Sequence, residues 1–159
     1  MRAQKINRSY FILLLGAFFL VSCSESPFYE KVESFAANEW KQNQKPTFSV
    51  QIDDTTAVYQ FVLTLRTTTD YKFNNLWIFW NTKTPNGESV REPFELRITN
   101  PDGSWIGKNS GTIVENQLHF QQRKIGAKGK YTFTLEQGIT EPSIGEVLDV
   151  GLKVEKVKA

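Results

Sequence analysis

The chain has 159 residues, 13% of them aromatic and 23% charged, with a formal net charge of +2, one cysteine and one histidine. A lone cysteine excludes a disulfide within the chain, and a lone histidine without a second cysteine leaves no ligand set for a structural zinc. The near-neutral balance also lacks the clustered excess of cations that tracks a nucleic-acid backbone, so no nucleic-acid partner is expected.

The first eight residues hold Arg2, Lys5 and Arg8 with no acid, and Tyr10 to Val21 is apolar apart from Gly16. That is the layout of a secretory signal. Its apolar run of about a dozen residues falls short of the ~20 that cross a bilayer as a helix. The run closes on Leu20-Val21-Ser22-Cys23, which resembles a bacterial lipobox. The cysteine thiol there takes a diacylglyceryl group, and the α-amine freed by cleavage is then acylated. Residues 1–22 are expected to be removed, with Cys23 the lipidation site and residues 23–28 the lipid anchor and a short tether. Two or more acyl chains hold stably where one is marginal, each buried CH₂ contributing about 0.8 kcal/mol.

The segment removed carries three basic residues and no acid, which leaves sixteen basic and seventeen acidic residues. Ser24 lacks the aspartate that retains many lipoproteins at the inner membrane, and Ser24-Glu25-Ser26-Pro27 lacks an acidic run of the surface-export kind. The expected location is the outer membrane, with the domain on its periplasmic side.

Residues 29–159 are of single-domain size. Apolar residues recur at every second position through Phe48, Val50 and Ile52, and again through Tyr59, Phe61, Leu63 and Leu65, with Asp53-Asp54-Thr55-Thr56 between. Period two with a polar break predicts two strands joined by a turn. Leu76-Trp77-Ile78-Phe79-Trp80 is apolar at every position, which predicts a central strand covered on both faces. Pro85-Asn86-Gly87 marks a turn. Further strands are expected at 94–98, 113–120, 131–135 and 147–154, the last long enough to lie inside a sheet. About eight short strands without a helical period predict an all-β fold, a single antiparallel β-sandwich of jelly-roll or immunoglobulin-like kind.

Catalytic motifs are sparse, and no enzyme activity, catalytic residue, cofactor or metal is expected. His119 stands alone in a strand pattern. Asp53 and Asp54 occupy a turn, where Asp bonds its own backbone. Gly103 to Asn109 has the wrong spacing for a phosphate loop and no following helix. Two segments hold more aromatics and polar groups than a core requires, Arg66 to Trp77 and Asn100 to Lys108. Arg66, Tyr71, Phe73, Trp77 and Trp105 are the candidate interaction residues, since Trp, Tyr and Arg are enriched at interfaces. Trp105, between Gly103 and Gly107, is the first choice because it lies outside the strand alternation. A coplanar exposed row of Tyr71, Phe73, Trp77 and Trp105 would favour a sugar partner, and a mixed patch with Arg66 a protein partner.

The ordered set of Tyr29-Glu30-Lys31, Asn38-Glu39-Trp40, Leu65 to Trp77, Asp102-Gly103-Ser104-Trp105-Ile106-Gly107, Gly129 to Phe133 and Asp149 to Lys156 resembles the gliding-motility lipoprotein H family, GldH, of Bacteroidetes. It departs locally at Gly138-Ile139-Thr140, where the family often has a Met-Arg pair. The resemblance implies a structural or interaction role in gliding motility and the type IX secretion machinery, with envelope proteins as partners and no catalytic residue. The alternative is a carbohydrate-binding lipoprotein, since fold alone does not fix function.

Overall fold

A computed structural model of the chain describes residues 27–157. The signal segment, Cys23 and Ser24 to Ser26 lie outside the described residues. Twelve strands occur among those described: β1 (Tyr29–Ser34), β2 (Glu39–Lys41), β3 (Thr47–Ile52), β4 (Val58–Thr68), β5 (Asn75–Lys83), β6 (Ser89–Arg97), β7 (Lys108–Ser110), β8 (Ile113–His119), β9 (Arg123–Lys124), β10 (Gly129–Gln137), β11 (Ser143–Gly145) and β12 (Val147–Val157).

Every pairing between strands is antiparallel. One sheet has the order β1-β12-β4-β8-β7, with β9 also on β4; the second has the order β3-β10-β5-β6; β2 and β11 form a separate ribbon. The two larger sheets share one core, in which Phe61 of β4 meets Phe133 of β10 edge-on at 5.4 Å. Trp40, Tyr59, Phe48, Phe61 and Phe133 are fully buried. Each aromatic of this kind removes roughly 200 Å² from water, a gross gain near 5 kcal/mol at the usual area coefficient.

The all-β sandwich agrees with the alternation in the sequence, with twelve strands in place of about eight. The five not expected, β1, β2, β7, β9 and β11, have two to six residues. All but β1 are too short to show a period. Strand β1 reads Tyr-Glu-Lys-Val-Glu-Ser and is largely exposed at a sheet edge.

Two expectations need correction. Strands β3 and β4 are not a hairpin: β3 pairs β10 and β4 pairs β12 and β8, in opposite sheets. Each buries one apolar face, and facing sheets satisfy both faces at once, so residues 53–57 arch across the sandwich. Strand β5 is covered on one face only. Leu76, Ile78 and Trp80 point into the core while Trp77 is 46% exposed on the outer side. Strand β12 does lie inside its sheet, between β1 and β4.

Candidate functional site

Strand register gives the sandwich two distinct poles. Val157 pairs with Val58, and at the other end Val147 pairs with Thr67. Tyr29 opens β1 opposite Val154, so the chain enters at the Val58 end, here called the tether pole. Phe28 packs there against Tyr59 with ring centroids 5.5 Å apart. The arch 53–57, the turn 84–88 and the loop between β8 and β10 share this pole, since Gly129 pairs with Ile52 and Thr132 with Lys83. The far pole carries loops 69–74, 98–107 and 111–112 with the β2-β11 ribbon. It is tied together by Thr69 N–H donating to the Thr112 carbonyl at 3.0 Å and Ile98 N–H donating to the Asn74 carbonyl at 2.9 Å.

All five candidate residues lie in the far half of the molecule, but not as one patch. Arg66 points outward from β4 and pairs with Asp149 on β12, Nε donating to Oδ1 at 2.8 Å and to Oδ2 at 3.1 Å. The Asp149 carboxylate is almost fully buried, and hydrogen bonding to it raises the Arg66 guanidinium pKa above its ordinary value. Beside this pair is a depression of about 210 Å³, floored by Gly151 and walled by Glu30, Val32, Gln117 and Lys153. Its charge is mixed.

Tyr71 is only 6% exposed, and its hydroxyl donates to the Asn75 carbonyl at 3.2 Å. Burial pushes its phenol well above the ordinary range. It is a core residue rather than a contact residue. Phe73 packs edge-on against it at 5.7 Å and remains 45% exposed.

Trp105 also differs from expectation. It is half-buried, packs on the core and bridges to Thr99. The loop folds back because Asp102 caps it, accepting from Ser104 N–H at 3.0 Å and Ser104 Oγ at 2.6 Å. Gly107 then presses against β8, where a Cβ would collide with the Glu115 carbonyl and the Asn116 side chain. The large apolar residue this loop turns toward solvent is Ile106, 50% exposed.

Trp77 stands on the outer face of the four-stranded sheet, opposite Glu95 of β6. The next outward residue, Phe79, lies under the Arg91 guanidinium, 3.4 Å from the ring centroid. Arg91 and Lys45 converge on Glu136 at 3.3 and 3.2 Å. Burial pushes the Glu136 carboxyl up, but hydrogen bonds from Lys45 and Arg91 outweigh it and hold the pKa below its ordinary value. A clamped, charged network therefore borders an open indole.

Neither arrangement anticipated from the sequence occurs. Two of the four aromatics are in or on the core, so no coplanar exposed row of four exists. Arg66 and Trp77 lie on opposite outer faces, so they form no mixed patch. Asp149 and Gly151, which line the Arg66 depression, stood in the sequence only within the Asp149 to Lys156 segment of the family resemblance, with nothing local to mark a site. His119 is exposed, its Nε2 3.2 Å from Gln117 Oε1. Asp54 accepts from Thr56 N–H at 2.9 Å, Thr56 Oγ1 at 2.7 Å and Ala57 N–H at 3.3 Å, a turn-closing role.

Residues 27–154 match the GldH lipoprotein family. A gliding motility lipoprotein GldH homolog of Christiangramia forsetii is 27% identical over 156 residues, covering 93% of this chain and 95% of its own. The gliding motility lipoprotein GldH of Flavobacterium johnsoniae is 29% identical over 152 residues, covering 91% and 94%. Among solved structures, dimeric latent PorU from Porphyromonas gingivalis overlies 88% of this chain and 14% of its own, at 6% identity and a TM-score of 0.35.

Proposed function

The chain belongs to the GldH lipoprotein family, and from that premise we propose that it is an outer-membrane lipoprotein of the gliding motility and type IX secretion machinery. It is held by acyl chains on Cys23, faces the periplasm, and works by protein contact rather than catalysis, without a cofactor. The relatives named for gliding motility support the process, and they match this chain along nearly its whole length.

The observation that carries the contact reading is the exposure of Trp77 and Phe73 near the far pole. An indole on a rigid, hydrogen-bonded strand gains nothing for the isolated fold by facing water. At an interface it becomes a large anchor with little conformational entropy left to lose, bordered by polar groups that exclude water. Carbohydrate binding draws less support, because a stacking platform would rest on two rings instead of four.

The test is replacement of the native gene by a Phe73→Ser, Trp77→Ser double variant. The protein should remain at normal level in the membrane fraction while secretion, and spreading in a gliding host, fall toward the deletion phenotype. Wild-type secretion and spreading in that variant would overturn the reading.

A further inference from the structure

The near-neutral total charge conceals a local asymmetry. No acidic residue occurs between Glu115 and Glu136, and the interval contains Arg123, Lys124, Lys128 and Lys130. All four side chains are exposed. Among the described residues none of them joins an ion pair. Buried Ile125 pins the loop between them, and the Tyr131 hydroxyl donates to the Ala127 carbonyl at 3.1 Å. Arg123 and Lys124 are thus fixed on β9 and Lys130 on β10, with Lys128 in the pinned loop between them, and the exposed Arg123 guanidinium reaches 5.7 Å from the Phe61 ring centroid.

Their position on the fold gives the set its meaning. Lys124 pairs with Val58 and Arg123 with Tyr59, and Lys130 lies across from Gln51. This is the tether pole, where Phe28 rests on Tyr59 and Lys156 stands 5.2 Å over the Phe28 ring. Two acids of the pole are ion-paired, while among the described residues Asp53 and the exposed Glu88 of the 84–88 turn are not, so the four unpaired cations still outnumber the unpaired acids. Asp53 accepts from Gln51 Nε2 at 2.8 Å, Asp54 is 3.6 Å from Lys156, and Glu155 is 3.0 Å from Lys153. Four peptide steps separate Cys23 from Pro27, a span of at most about 14 Å in any conformation. With acyl chains on Cys23, the pole carrying the unpaired cations cannot move far from the bilayer.

The geometry points to a membrane-docking surface: Arg123, Lys124, Lys128 and Lys130 bind anionic phospholipid headgroups and hold the domain upright on its tether. The orientation half of this inference rests on lipidation of Cys23; the headgroup affinity does not. Each basic residue held near an anionic surface raises partitioning about fivefold at low salt, and the effect decays within a Debye length. Docked this way, the far pole is displaced from the membrane by the length of β4, roughly 35 Å for eleven residues. Phe73 and Ile106 then face away from the lipid.

The test uses lipidated protein in phosphatidylcholine vesicles with and without phosphatidylglycerol, read by amide hydrogen exchange of residues 121–130. Exchange should slow in the anionic vesicles alone, recover in high salt, and stay fast in an Arg123→Gln, Lys124→Gln, Lys128→Gln, Lys130→Gln variant. An acyl-free chain starting at Ser24, which keeps every described residue, should co-sediment with the anionic vesicles at least about tenfold better than the same chain with the four substitutions. Equal exchange in both vesicle types, equal sedimentation of both chains, or the same protection from free inorganic phosphate would overturn the proposal. Failure of the lipidated protein to stay with either vesicle, with acyl-free sedimentation intact, would remove the orientation and leave the headgroup site standing.

Discussion

The Arg66 guanidinium reaches across from β4 to clamp Asp149 of β12, Nε donating to both carboxylate oxygens and Nη2 donating to Oδ2. The two ends of this contact are unequally exposed, since the Arg66 side chain keeps 40% of its surface in water and Asp149 only 5%.

That inequality sets the signs of two substitutions. Arg66→Ala strands a buried carboxylate and should cost about 3 kcal/mol, the low end for a broken buried pair. Asp149→Ala leaves a cation that water can reach and should cost about 1 kcal/mol or less. Urea denaturation of both variants and the double variant checks this. Losses of about 1 kcal/mol or less from both single changes would show that the pair behaves as a surface contact.

The arch at residues 53–57 predicts an acid response. Hydrogen bonds from the Thr56 hydroxyl and the Thr56 and Ala57 amides, with Lys156 nearby, lower the Asp54 pKa from 3.8 to about 2. A depressed folded pKa contributes stability above the unfolded value and loses it as pH falls through the folded one. The stability gap between wild type and Asp54→Ala should therefore be present at pH 6 and close between pH 4 and pH 2. Thermal melts across that range measure it, and a gap that widens on acidification would contradict the assignment.

Aromatics at the far pole should divide into two groups. Trp105→Ala is expected to cost about 2 kcal/mol, below the 3 to 5 typical of emptying a fully buried aromatic site. Phe73→Ala and Trp77→Ala should each stay within about 0.5 to 1 kcal/mol, as open surface positions do. Melting curves rank the three, and a Trp77 cost equal to that of Trp105 would make Trp77 a packing residue.

What the sequence disclosed follows from how far each signal travels along the chain. Phe48, Val50 and Ile52 announced a strand because alternation is local, yet nothing local says that β3 pairs with β10 instead of β4. Arg66 stood out as a cation among polar residues, but its partner lies 83 residues later. Tyr71 and Trp105 sit in loop composition, and only the return of those loops onto the sandwich shows that one ring is inside and the other leans on the core. Trp77 was legible as an aromatic, and its exposure became visible once the outer face of β5 proved to be uncovered.

Anchoring and folding use separate residues, so Cys23→Ala should leave the domain's melting curve unchanged while the protein becomes soluble or accumulates as precursor. Acyl-chain labelling with membrane fractionation decides this. Full membrane retention of the variant, with no label on wild type, would remove the lipid anchor.

The central claim, that the face bearing Trp77 is where the protein meets its envelope partner, is tested most directly by a photo-crosslinking residue placed in living cells at 73, 77 or, as control on the opposite sheet, 117. The account predicts a discrete adduct with an envelope protein from 73 and 77 and none from 117. No adduct from 73 or 77, or the same adduct from all three positions, would contradict it.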